Sequence, residues 1–199
     1  MNTAARKLPE MMTVGDFLDW PGDGTAARYE LVDGVLRAQE AASDTHGTIQ
    51  SNLVGIIQPH LRRERPGCRV VTAPGVRPRL RANWNFRIPE LGVTCVPNRA
   101  DQHAIPEPVV LIEILSPSNA TETWSNIPLY ASLPSVAEIL IVDSSKVSAE
   151  ILRRGQDGSW PQDPEAIGPQ GVLRLASIGF ETPLIELYRD THLARPQMP

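Results

Sequence analysis

The sequence predicts one α/β (α+β) domain over residues 12–190, and three observations carry that prediction. Leu91–Cys95, Val109–Leu115 and Glu138–Asp143 are short apolar runs, each too brief for a stable helix, and they read as buried strands of a single sheet. Between and before them lie stretches whose apolar residues recur at helical spacing. Asp33-Gly34 stands between the strand-like runs Tyr29–Val32 and Val35–Ala38, where Asp-Gly favours a two-residue hairpin turn. A chain of 199 residues is long enough for one proper core. Residues 1–11 read as a flexible N-terminus and residues 191–199 as a C-terminal tail.

Taken in order, Thr13 is placed to cap a short helix whose stripe is Val14, Phe17 and Leu18. Trp20-Pro21-Gly22 stops it. Asp44 can cap a longer helix to about Glu64, with Ile49, Leu53, Ile56, Ile57 and Leu61 on one face. Its basic end, Arg62, Arg63 and Arg65 with Arg69 beyond, suits either the helix dipole or a phosphate-facing patch. Arg69–Ala73 and Val76–Leu80 are predicted strands on either side of Pro74-Gly75, and the polar, proline-bearing segment Val96–Pro108 an exposed loop. Ala120, Trp124, Ile127 and Ala131 have helical spacing, with Pro128 predicting a kink or interruption. Ser148–Arg153 is the predicted antiparallel partner of Glu138–Asp143, residues 155–170 a loop around Trp160, and Pro183–Tyr188 a final short helix.

Composition limits the functions available. A net charge of −4 and a pI near 5.6 give no global attraction to nucleic acid, so any DNA-binding surface must be a local patch. The cations are nearly all arginine, since Lys7 and Lys146 are the only lysines. Cys68 and Cys95 lack CxxC spacing and read as two lone thiols, which fits a reducing cytosol and argues against a disulfide or a zinc site. No apolar run approaches ~18 residues and the N-terminus lacks an apolar core, so neither a membrane span nor a signal peptide is predicted and the expected location is cytoplasmic.

Carboxylates on strands are the candidate chemistry. On an extended Val109–Leu115, Glu113 shares a face with Val109, Leu111 and Leu115, where an ionised side chain is costly unless it is compensated. Either a salt bridge to an arginine or a metal ion would compensate it. Pro89-Glu90 leads into another strand, and Glu30 stands at the start of the hairpin. Two such carboxylates on neighbouring strands can hold one hard divalent cation, so Glu90 and Glu113 are expected to converge closely enough to share an ion.

Met12–Leu18, Arg28–Gly34, His46-Gly47, Arg87–Glu90, Glu113–Ser118, Tyr130 and Leu133–Asp143 stand in a characteristic order and spacing. In that order and spacing they resemble the Uma family of restriction-endonuclease-like proteins, formerly a domain of unknown function, in the PD-(D/E)xK nuclease superfamily. The resemblance implies a mixed central sheet flanked by helices and metal-dependent endonuclease chemistry on DNA with Mg2+ or Mn2+ held by Glu90 and Glu113. It also implies that Glu30 and Tyr130 occupy family positions. A homodimer is expected, because two-fold symmetry matches a duplex cut on both strands.

This chain departs from the pattern twice. Glu90 stands where the family usually has Asp. The superfamily lysine is absent both at Leu115, two residues after Glu113, and at Asn126, four residues before Tyr130, where relatives supply it. Arg87 is the candidate replacement cation. Two readings follow, an endonuclease with a modified site or a nuclease-like fold that no longer cuts and serves in binding or assembly.

Overall fold

The computed structural model describes residues 10–39 and 41–194, so most of the N-terminal extension, including Lys7, and the last five residues of the tail lie outside the described residues. A six-stranded mixed sheet forms the centre, in the order β3 (Arg69–Thr72), β4 (Leu91–Thr94), β5 (Pro108–Leu115), β6 (Glu138–Asp143), β7 (Ala149–Arg153) and β8 (Glu165–Ile167). Only β5 and β6 run parallel; they are joined by a crossover through α3 (Ala120–Ala131). The three predicted core strands are therefore adjacent.

Helix α2 (Asp44–Glu64) covers one face of the sheet. Its Ile49, Leu53, Ile57 and Leu61 are fully buried against Leu91, Val93, Val110, Ile112 and Ile114, in a cluster completed by Leu184, Leu187 and Tyr188. The other face packs Leu111, Ile139 and Ile141 against Ile127 and Tyr130 of α3. Truncating Leu53 or Ile112 to Ala should cost ~2–5 kcal/mol, measurable by denaturant unfolding. A third cluster joins α1 (Val14–Leu18) to the hairpin of β1 (Tyr29–Val32) and β2 (Val35–Ala38) through Met12, Val14, Leu31, Leu36 and Phe86. The hairpin has the predicted two-residue turn, with Asp33 and Gly34 both at positive φ, 50° and 86°.

Several expectations are corrected. The cap of α2 is Ser43, whose hydroxyl accepts from the His46 amide, and Asp44 instead sits in the first turn, where the dipole favours it. Val76–Leu80 is not a strand: only Val76 bridges Arg87, because Pro78 lacks an amide donor and Arg81 turns the chain at φ 49°. Helix α3 is not interrupted at Pro128, whose own ring is exposed in the second half of the helix. The 155–170 loop contains the edge strand β8, while the predicted final short helix is present as Leu184–Tyr188, in 3-10 form. Val109 lies where the β4–β5 register shifts, and it packs against the α2-side cluster instead of beside Glu113.

The largest correction concerns cysteine. Cys68 and Cys95 form a disulfide. Their separation of 27 residues hides the reason, which is the antiparallel register: one step beyond Arg69↔Thr94 the two cysteines face each other across β3 and β4. Closing that loop should contribute ~2–4 kcal/mol. A melt with and without reductant, and the Cys68→Ser variant, should show that loss.

Candidate functional site

A cleft of about 610 Å³ opens where the hairpin, the start of α2, the ends of β4 and β5, and α3 meet. Glu30, Glu90, Glu113 and Asn126 all line it. Continuing the register from Leu91↔Ile112 by one residue sets Glu90 opposite Glu113. Arg87 and Tyr130 do not line the cleft; they lie buried behind it.

Glu113 is 7% exposed. The Tyr130 hydroxyl donates to its Oε1 at 2.7 Å and the Asn126 amide donates to the same oxygen at 3.2 Å. Burial pushes its pKa up to about 8; the Tyr130 bond works against the rise, and the charges of Glu30 and Glu90 add to it. Burial and the neighbouring Glu113 also hold the Tyr130 phenol well above its usual value. Asn126 Oδ1 is buried without a partner, an acceptor beside the key carboxylate that awaits a donor such as water.

Glu30 is raised to about 7, chiefly by burial, while the Ile88 amide and the charge of Arg87 pull the other way. That amide donates to its Oε1 at 2.5 Å, and Arg87 Nη1 stands 3.7 Å from its Oε2. Arg87 is only 2% exposed, donates through Nη2 to Asn85 Oδ1 at 3.2 Å, and leaves Nε and Nη1 unpartnered. The sequence assigned Arg87 as a cation for substrate; its guanidinium instead lies under Glu30 as a buried counter-charge.

Glu90 is gripped by α2. His46 Nε2 lies 2.7 Å from its Oε1, and the Gln50 amide donates to its Oε2 at 2.8 Å. The extra methylene relative to Asp is what extends the carboxylate to these partners. Sequence reasoning missed His46 and Gln50 as site residues, although their i, i+4 spacing at the start of a capped helix puts them on one face.

Among the described residues, no group of three or more His, Cys, Asp or Glu side chains is arranged to hold a metal ion. Magnesium usually needs only one or two carboxylates, with waters and substrate phosphate completing its shell. The donor set present, oxygens of Glu90 and Glu113 with the vacant acceptor of Asn126 alongside, fits that requirement. A divalent cation would favour loss of the Glu113 proton and balance the carboxylate charge that results.

A profile of the Uma2 family, described as "Putative restriction endonuclease", matches residues 14–182. The chain belongs to the Uma2 family. An uncharacterized protein of Synechocystis is 26% identical over 147 residues, covering 73% of this chain and 75% of the relative. The fold resembles that of a crystal structure from Anabaena variabilis described as "a putative nuclease belonging to DUF820". That likeness has a TM-score of 0.69 at 18% identity and covers 89% of this chain and 97% of the other. With Uma2 membership, the mixed sheet flanked by helices is that of a nuclease-like fold. No helix among the described residues is long and apolar enough to cross a membrane.

Proposed function

We propose that this Uma2 chain is a divalent-cation-dependent DNA endonuclease of the PD-(D/E)xK type with a modified active site. The supporting observation is the convergence of Glu30, Glu90 and Glu113 on one cleft, with Glu30 and Glu113 at raised pKa values of about 7 and 8. Glu90 and Glu113 would hold Mg2+ or Mn2+, which supplies water activation and neutralises charge on the phosphate. His46 and Gln50 fix the Glu90 carboxylate, while Tyr130 and Asn126 fix Glu113. Glu30 keeps the Ile88 backbone and Arg87 in register beneath the cleft.

Asn126 replaces the charge that relatives place next to the second acid, and losing such a group commonly costs ~10²–10³ in rate. Cleavage should therefore be slow with Mg2+ and better with Mn2+. The test is nicking of supercoiled plasmid under each metal. Rapid cutting with Mg2+ would contradict the modified-site reading. Metal binding without any nicking, under both metals and in the Asn126→Lys variant, would favour the non-cutting binding module.

DNA as partner and a homodimer belong to the same proposal, whereas the Cys68–Cys95 disulfide removes the thiol argument for a reducing cytosol. The Val96–Pro108 segment, exposed over residues 97–103, and the C-terminal tail are the candidate dimer contacts. Light scattering at micromolar concentration should give twice the mass of one chain, and a monomer would count against the dimer.

A further inference from the structure

Resting on that nuclease reading, we infer that Arg28, from the hairpin side of the cleft, partly substitutes for the phosphate-facing cation that the missing lysine would otherwise provide, which leaves cleavage slow rather than absent. Among the described residues the arginines and lysines lining the cleft are Arg28 and Arg37. Arg37 is already engaged, its Nη1 2.9 Å from Glu122 Oε1 on α3. Arg87 is sealed beneath Glu30, and Lys146 lies outside the cleft, 3.8 Å from Asp143. Arg28 is exposed, and among the described residues its guanidinium makes no ion pair or hydrogen bond.

The strand register explains how Arg28 comes to face the acids. Glu30 pairs with Arg37 across the hairpin, and the Gln39 amide donates to the Arg28 carbonyl at 2.8 Å, extending the ladder one pair further. Residues two apart on a strand share a face. Arg28 and Glu30 accordingly both line the cleft, whereas Tyr29 between them turns away to stack edge-on with Trp20. Arg28 also borders a second opening of about 550 Å³, lined by Gln50, Thr72, Ala73 and Ile88, which shares all of these residues but Thr72 with the first. A phosphodiester backbone crossing from that opening toward Glu90 and Glu113 would pass Arg28. A guanidinium there can bind two phosphate oxygens at once.

The experiment measures Mn2+-dependent plasmid nicking, together with the salt dependence of binding to a short fluorescent duplex in calcium, for the parent, Arg28→Ala, Arg28→Lys and Lys146→Ala. Lys146 is exposed beside Asp143, outside the cleft, and controls for a lost positive charge. Arg28→Ala should nick ~10²-fold more slowly and lower the slope of log affinity against log salt by ~0.9. Arg28→Lys should recover the slope and part of the rate, and Lys146→Ala should change neither. If Arg28→Ala nicks at the parental rate, with or without a changed slope, Arg28 is not the catalytic cation and the nuclease reading survives. If the parent neither binds the duplex nor nicks, the nuclease reading falls and this inference falls with it. Unchanged melting of Arg28→Ala, as expected for an exposed side chain, shows that a lost rate is not lost folding.

Discussion

Replacing Glu113 by Gln should abolish metal-dependent nicking and, at high pH, make the protein more stable. Buried Glu113 has a folded-state pKa of about 8 against an ordinary 4.5. A carboxyl group raised in this way favours the fold while it is protonated. Its contribution is fully present below about pH 4.5 and is lost as pH rises through about 8, because the native state must then bury an anion. Gln carries no such penalty and offers the Tyr130 hydroxyl the same acceptor. The variant should match the parent near pH 5 and exceed it by ~2–4 kcal/mol at pH 9, roughly 5–15 °C in Tm. Thermal melts of both proteins across that range, in chelator, check the sign. A variant less stable than the parent at pH 9 would mean that Glu113 is held charged by partners not described above. The excess should shrink when Mn2+ is added, since the metal stabilises only the parent.

Asn126→Lys should raise the nicking rate by ~10-fold or more. Asn126 is 4% exposed and its amide already donates to Glu113 at 3.2 Å, so an ammonium extended from this position reaches the same carboxylate. A buried lysine is expensive alone, but here it would be paired at once. The Glu113 pKa should fall, and the pH at which nicking reaches half its maximum should fall with it. Metal affinity should stay level or weaken, because the new charge opposes the ion. Glu90→Asp is a different change: it withdraws the carboxylate ~1.5 Å from His46 and Gln50, and any gain in metal geometry would be set against those two lost bonds. Single-turnover rates with separate metal titrations distinguish the two variants. A tighter metal site without faster cleavage in Asn126→Lys would contradict the role given to the missing charge.

The strands were legible because their residues sit in the dry centre of the sheet. Val110, Ile112 and Ile114 alternate with Leu111 as the pleat requires, and Ile49, Leu53, Ile57 and Leu61 mark the helix that covers them. Glu113 could be singled out for the same reason, as a charge in an apolar run. What lay beyond the sequence depends on register and on long-range approach. Cys68 and Cys95 meet only because β3 and β4 pair antiparallel, and the Val109 bulge follows from the offset between β4 and β5. His46 and Gln50 have no apolar contrast to mark them, and only the approach of α2 to the Pro89-Glu90 corner gives them a partner. Arg87 illustrates the opposite error. Its position next to the motif suggests catalysis, yet the strand-like pleat turns it inward under Glu30.

The central claim, that Glu90 and Glu113 together hold a catalytic divalent cation, is tested most directly by isothermal calorimetry of Mn2+ binding at pH 7 to the parent, Glu90→Gln and Glu113→Gln. Repeating it in two buffers of different ionisation enthalpy counts the protons released. Glu113 is largely protonated at that pH and must give up its proton to bind a metal, so the account expects one site with proton release in the parent and severely weakened binding in both variants. Binding of parental strength in Glu113→Gln, or binding in the parent with no proton released, would contradict it.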